Sequence, residues 1–491
     1  MLIFFNFDEN FIMKLISVFL FVISFNSFAQ NSAKLIDVLK NETATNIQSN
    51  YDVYKKIELT IWDYAEVGYK EVKSSILLQN TLKENGFIVE AGVAGIPTAF
   101  VATYGSGSPV IGILGEFDAL PGLSQDSSAV KTPVANKNSA HGCGHHLFGT
   151  GSVASGIAIK KLIEQGKIKG TIKVFGCPAE EGGSGKVYMV REGLFNGVDV
   201  VIHWHPSNNN AITYTSALAN KSAKFRFYGI ASHASASPEK GRSALDAVES
   251  MDYMVNMMRE HIPQETRIHY VITNGGKAPN VVPEFAEVYY YVRHPNRADV
   301  VSIFNRVEKA AQGAALGTET RMDYEIIGGT HDLLINKTLA DAMQINLEKV
   351  GGVNYTPDEI IFAKTLQTSF TGKIPALEEA ATVKPMSLEK SGGGSTDVGD
   401  VSYTVPTVGC ETATWVPGTP AHSWQAVACG SNDISAKGMI VAAKTMAFTA
   451  IDLFLKPELI KRAKEEFIST KSNYQYKALL GDRKPALNYR D

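Results

Sequence analysis

The stretch AHGCGHHLFG, Ala140 to Gly149, sets Cys143 among His141, His145 and His146, in a chain with only 4 cysteines and 11 histidines. Thiolate and imidazole are the side chains that best hold zinc and related divalent ions. Cys143 and His145 stand one residue apart in a loop made permissive by Gly142 and Gly144, so they can face one ion or straddle two. Taken alone, the same residues also fit a nucleophilic cysteine with a nearby base, or a structural thiol beside surface histidines.

A second cluster, CPAEEGGSGK, puts Glu180 and Glu181 side by side at the end of an apolar run. Two like charges at a buried strand end are costly unless a cation or a proton compensates them. One glutamate can bind metal while its neighbour takes a proton from metal-activated water. In VDVVIHWHPS, His203 and His205 share one strand face, and either can be a ligand. His422 sits far downstream in GTPAHSW, and GEFDALPG supplies Glu116 and Asp118, the latter suited to orienting a ligand imidazole. Five such sites suggest an open dinuclear centre, whose natural chemistry is hydrolysis by a bridging water. A cysteine nucleophile would leave Glu180, Glu181 and His422 without a role. Neither glycine-rich stretch is a phosphate loop: CPAEEGGSGK has Glu180 where a glycine is needed and Val187 where Ser or Thr is needed, and SGGGSTD lacks the lysine and reads as a flexible loop.

The elements that must carry these residues follow from periodicity. Helical patterns over Tyr51 to Ala65 and Ser74 to Asn85 alternate with short apolar runs such as PVIGILGEFDAL and TIKVFGCPAEE, each ending in a chemistry-bearing loop. That predicts an α/β fold with a mostly parallel sheet and sites at the carboxyl ends of its strands. Near Lys221 the texture changes to the order βαββαβ, a two-layer α+β module of ferredoxin-like type. Metal-type residues resume only after it, so it reads as an insertion. The expected divisions are a catalytic domain over 34–219 and 333–460, an inserted module over 220–332 and a tail over 461–491.

With 47 basic against 50 acidic residues, a net charge of -3 gives no reason to expect nucleic acid as a partner and favours a small-molecule ligand. Residues 1–29 read as a secretory signal with its start at Met13, an apolar run from Leu15 to Phe25 and a small-residue site ending at Ala29. The expectation is an exported protein, periplasmic or secreted, with no membrane span once the signal is removed. In an oxidising compartment Cys410 and Cys429 could form a bridge or remain two buried thiols.

In order along the chain, GEFDALPG, HGCGHH, PAEEGGSGK, SHAS, APNVVPE and PGTPAHS resemble the dinuclear metallopeptidases that include aminoacylases, glutamate carboxypeptidases and auxin-conjugate amidohydrolases. The likeness covers nearly all of the chain beyond the signal. Within that family GEFDALPGLSQ, GCGHHLFGTGS and WHP are most similar to the branch acting on aminobenzoyl-glutamate. The resemblance implies a metal-dependent amidohydrolase that cleaves N-acyl or N-aroyl amino acids, with glutamate conjugates favoured. A dipeptidase or an N-acyl-amino-acid deacylase is the nearest alternative, and a binding protein that has lost turnover is the alternative of another class.

Position by position, the resemblance implies two divalent ions, zinc or manganese, held by Cys143, His145, Glu181, His205 and His422, with Glu180 as general base. His205 is preferred to His203 for its distance from Asp199 and its neighbour Pro206. His233 of SHAS would stabilise the oxyanion, in relatives commonly across a dimer. Asn280 would contact substrate, and Arg293 would meet a carboxylate or else serve as a salt-bridged strand residue. The inserted module becomes a lid and dimerisation domain, joining either a second copy or a related chain. Two positions depart from the pattern: His146 stands where many relatives have Asp, and the acid-x-acid pair ending at Asp118 begins with Glu116.

Overall fold

The computed structural model describes residues 34–387 and 394–490; the expected signal lies outside the described residues. In chain order the large sheet takes β1 (Ile88–Ala91), β2 (Phe100–Gly105), β3 (Val110–Glu116), β4 (Thr171–Cys177), β5 (Val200–Ser207) and β6 (Ala211–Ile212), with helix α1 (His145–Glu164) between β3 and β4. The inserted segment supplies β7 (Ala219–Tyr228), α2 (Ala244–Met258), β8 (Arg267–Asn274), β9 (Phe285–His294), α3 (Arg297–Gly317) and β10 (Arg321–Thr330). The chain then returns through β11 (Thr407–Ala413), α4 (Asp433–Leu455) and α5 (Pro457–Lys471).

The large sheet has the order β1-β2-β4-β3-β5-β11-β6. Its central strands β4, β3, β5 and β11 are parallel, and antiparallel strands flank them on both sides. Parallel strands are covered on both faces and so read as unbroken apolar runs; β3 is buried from Ile111 to Glu116. Helix α1 packs on β3 and on α4. Helix α4 is long and apolar enough to cross a membrane, yet 89% of its most apolar window is buried inside this fold, where it forms part of the main core.

Strands β7 to β10 make a separate antiparallel sheet, order β8-β9-β7-β10. One face packs on α2 and α3, so β9 alternates strictly between buried and half-buried residues. Phe225, Tyr290, Phe304 and Met251 belong to a second hydrophobic core, distinct from that of the large sheet. At the free edge, Tyr270, Val271 and Ile272 of β8 are exposed.

One expectation changes on contact with this fold and one open alternative closes. Asp397 of SGGGSTD, expected in a flexible loop, is buried and pairs with Lys186. Cys410 and Cys429 are separate, free and buried thiols, as are Cys143 and Cys177. Helix α5 also runs unbroken across residue 461, burying Leu459, Ile460 and Ala463.

Candidate active site

The carboxyl ends of β3, β4 and β5 converge with the start of α1, which is where a parallel sheet leaves its loops free to carry function. Strand β3 ends at Glu116 and brings Asp118 two residues beyond; β4 runs into the turn of Glu180 and Glu181; β5 carries His205. His145 is the first residue of α1, directly after Cys143 and Gly144. The late loop reaches the same place because the His422 amide donates to the Gly142 carbonyl at 2.9 Å.

All five expected ligands come together. Donor atoms of Cys143, His145 and His205 lie within 4.8 Å of one another, as do those of Cys143, Glu181 and His422. Cys143 is common to both sets, the arrangement expected of a thiolate shared by two ions. Its Sγ lies 3.6 Å from His205 Nε2, and His422 Nε2 lies 3.1 Å from Glu181 Oε1. A third set within the same spacing joins Glu116, His145 and Glu180.

The residues fit divalent cations on their own chemistry. His145 Nδ1 donates to Asp118 Oδ1 at 2.9 Å, which leaves Nε2 as the ligand atom; His205 Nδ1 likewise donates to the Pro206 carbonyl at 2.7 Å. His145 Nε2 and Glu181 Oε1 are both buried, and what faces each at 3.1 Å is another ligand-type atom, Glu116 Oε2 and His422 Nε2 respectively. Burial pushes the Cys143 thiol up, away from the thiolate a free nucleophile needs, and a bound cation is what would reverse this. Burial, followed by the carboxylates of Glu116, Glu181 and Asp397, pushes Glu180 well above the usual carboxylate range. Burial also acts to raise Glu181, but hydrogen bonding to His422 and the charge of His145 outweigh it and bring its carboxyl to about 2. One glutamate is thus poised to hold a proton and its neighbour to stay charged, which is the division of labour an acid–base catalyst and a ligand require.

Asp118 serves both sides of the cluster, because its Oδ2 also accepts the Glu181 amide at 2.9 Å. Asp118→Ala is therefore expected to weaken metal binding about 10- to 100-fold with the fold intact; competition against a chromophoric chelator measures it.

Strand β11 sets His203 and His205 apart. The His203 ring is packed against Gly409, where a Cβ would lie 2.2 Å from its Cε1 and Nε2, whereas His205 faces Cys143. His146 turns away from the cluster to donate to the Gly430 carbonyl at 2.8 Å, with Glu58 Oε2 3.6 Å away. Its replacement of the usual Asp thus leaves the donor sets unchanged.

The inserted module places its expected residues elsewhere. His233 and Asn280 are both exposed and adjacent, joined by the Ala234 amide donating to the Asn280 carbonyl at 3.0 Å, and no described contact links them to the cluster. Arg293 is half-buried on β9, 5.2 Å over the Tyr291 ring, with a buried Nε lacking a partner among the described residues. Two features escape sequence reasoning. Lys186 is fully buried and bridges Glu116 and Asp397 at 2.6 Å each. Tyr489 and Arg490, from the far end of the described chain, both donate to the Glu181 carbonyl. Lys186 ends the GGSGK stretch that Glu180 and Val187 disqualify as a phosphate loop; nothing in the sequence ties it to Asp397 or Arg490 to Glu181.

The model of peptidase family M20/M25/M40 matches residues 112–423, a span that contains every residue of the cluster. The chain belongs to this family. As an M20 family member it is a metal-dependent amidohydrolase. It is 42% identical over 446 residues to a p-aminobenzoyl-glutamate hydrolase subunit of Escherichia coli (strain K12), covering 86% of this chain and 93% of that one. Xaa-Arg dipeptidase of Mus musculus is 28% identical over 454 residues, covering 89% and 94%. Among solved structures, a dinuclear metal binding peptidase of the M20 family from Bacillus subtilis superposes with a TM-score of 0.57 at 15% identity, over 83% of this chain and 99% of that one. The fold is thereby shared with that M20 peptidase.

Proposed function

We propose that this M20 enzyme hydrolyses the amide bond between an aroyl or acyl group and an amino acid, with aminobenzoyl-glutamate-like conjugates favoured. One observation carries the reaction: Glu180 stands beside two donor sets that share Cys143. The 42% identity to a p-aminobenzoyl-glutamate hydrolase chain supports the substrate class. A pair of ions, zinc or manganese, would be held by Cys143, Glu181 and His422 on one side and Cys143, His145 and His205 on the other. When bound, such ions acidify water and polarise a carbonyl oxygen.

The residues then have distinct tasks. Glu180 takes the proton of the attacking water as the carbonyl carbon becomes tetrahedral. It returns that proton to the amide nitrogen as the C–N bond breaks, releasing a carboxylic acid and a free amine. We assign His233 to the oxyanion, delivered by a partner chain's module or by closure of its own, with Asn280 beside it contacting substrate and Arg293 meeting the substrate carboxylate. Assembly as a homodimer through the inserted module, or with a related chain, supplies that partner; the second option draws support from the Escherichia coli relative, which is itself one subunit of a hydrolase. Export remains part of the reading, on the strength of the signal-like residues 13–29.

The dipeptidase reading has a specific support in the Xaa-Arg dipeptidase likeness. Chelation followed by return of zinc or manganese, on aminobenzoyl-glutamate beside an N-acetyl amino acid and a dipeptide panel, separates the two. Activity is expected to vanish on chelation and return with metal, highest on aminobenzoyl-glutamate. Highest turnover on dipeptides would replace the substrate assignment, and activity indifferent to chelation would overturn the mechanism.

A further inference from the structure

We propose that the segment 472–490 belongs to the active site, with Tyr489 and Arg490 as positioning residues for the turn that carries Glu180 and Glu181. This rests on the reading of Glu181 as a metal ligand.

The turn is strained. Ala179 at φ 54 and Ser184 at φ 59 lie in the left-handed region that disfavours side chains, Gly182 is at φ 92, and Glu181 at φ -70, ψ 67 breaks the helix. Such conformations persist only when their surroundings over-determine them. One bond lies within the turn, the Gly183 amide to the Ala179 carbonyl at 3.0 Å, and the other restraints come from outside it. The Ala179 amide donates to Glu71 Oε1 at 2.8 Å, the Glu181 amide to Asp118 Oδ2 at 2.9 Å, and the Tyr69 hydroxyl to the Gly183 carbonyl at 2.7 Å. The carbonyl of Glu181 itself accepts from Tyr489 Oη at 3.1 Å and from Arg490 Nη2 at 2.5 Å. Asp118 therefore fixes the peptide on one side of Glu181 while Tyr489 and Arg490 fix the peptide on the other, and the carboxylate between them is left facing His422.

Tyr489 is built into this place. Its ring meets Tyr69 edge-on at 5.5 Å, and a Cβ on Gly68 would lie 2.1 Å from its hydroxyl, so only glycine leaves room for it. The Arg490 guanidinium stacks over the same ring at 4.6 Å. Upstream the segment is anchored along its path: Tyr474 Oη bonds His331 Nε2 at 2.8 Å where β10 hands the chain back to the large sheet, Tyr476 donates to Asp400 at 2.8 Å, and Arg483 donates to the Ile327 carbonyl of β10 at 2.5 Å. The strap thus runs from β10 of the inserted module to the turn that carries Glu181.

Calorimetric titration of the metal-free full chain with zinc tests the proposal. The wild-type chain is expected to bind in two phases, one of which Glu181→Gln removes. Tyr489→Phe combined with Arg490→Met should weaken that same phase about 10- to 100-fold and leave the other unchanged. Turnover should show a lowered kcat with KM unaltered, and Arg490→Lys should recover part of the lost affinity. If the combined variant melts early, Tyr489→Phe alone, which removes one hydroxyl, carries the test. Loss of a phase in Glu181→Gln with both phases intact in the strap variants overturns the proposal. Both phases intact in Glu181→Gln would instead overturn the assignment of Glu181 as a ligand.

Discussion

Glu180→Gln is expected to lower kcat by about 100- to 10,000-fold while both cations stay bound, the range a general base commands. Glutamine keeps the shape and hydrogen-bonding reach of glutamate but cannot accept a proton. Metal retention follows from geometry, because Glu180 belongs to neither of the donor sets that share Cys143. The pH profile adds a signature. Burial and the carboxylates of Glu116, Glu181 and Asp397 hold Glu180 above the usual carboxylate value of about 4.3, so kcat/KM of the wild-type enzyme is lost as pH falls through that raised pKa. The residual rate of Glu180→Gln should be flat across the same interval. A variant that keeps most of its activity would place the base elsewhere, and one that loses its metal would make Glu180 a ligand.

The parts of this site that could be read in the sequence are those written at short range. Cys143-x-His145 and the pair Glu180–Glu181 are fixed by adjacent positions at strand ends, and the order βαββαβ is carried by local periodicity, so both survive into the fold. His203 and His205 have the same strand parity, and what separates them is the neighbouring strand: Gly409 lets the His203 ring lie flat against β11. Lys186 and Asp397 are 211 residues apart, and each alone looks like part of a glycine-rich loop. Tyr489 lies 308 residues beyond Glu181 and touches only its backbone, so no pairing of side-chain chemistries announces the contact. His233 and Asn280 are exposed side by side in the inserted module, where a second chain or a closing movement, rather than local sequence, decides what they meet.

The buried triad of Glu116, Lys186 and Asp397 sets the second large effect: Lys186→Met is expected to destabilise the fold by about 3–5 kcal/mol, because it strands two carboxylates away from water. Lys186 has no exposed surface, its Nζ bridges Glu116 Oε1 and Asp397 Oδ1 at 2.6 Å each, and its amide also donates to Asp397 Oδ2 at 2.9 Å. Burial works to lower its ammonium pKa, but Asp397 and Glu116 outweigh that and hold it well above the usual value. Burial pushes Asp397 up to about 6 even with the lysine in place, and removing the lysine raises it further. The sign of the pH dependence follows. A carboxyl whose folded pKa lies above its unfolded one costs stability as pH rises through that interval, so the deficit of Lys186→Met should be full at pH 8 and shrink toward pH 5 as the stranded Asp397 takes up a proton. Urea denaturation across that range measures it, and Lys186→Met combined with Asp397→Asn should recover part of the loss. A deficit under about 1 kcal/mol, or one independent of pH, would mean the triad does not anchor the site. The same lysine has a catalytic consequence, because Glu116 stands 3.1 Å from His145 Nε2: a Glu116 displaced by loss of its lysine partner would alter the field at a metal ligand, so the variant should lose metal affinity before it unfolds.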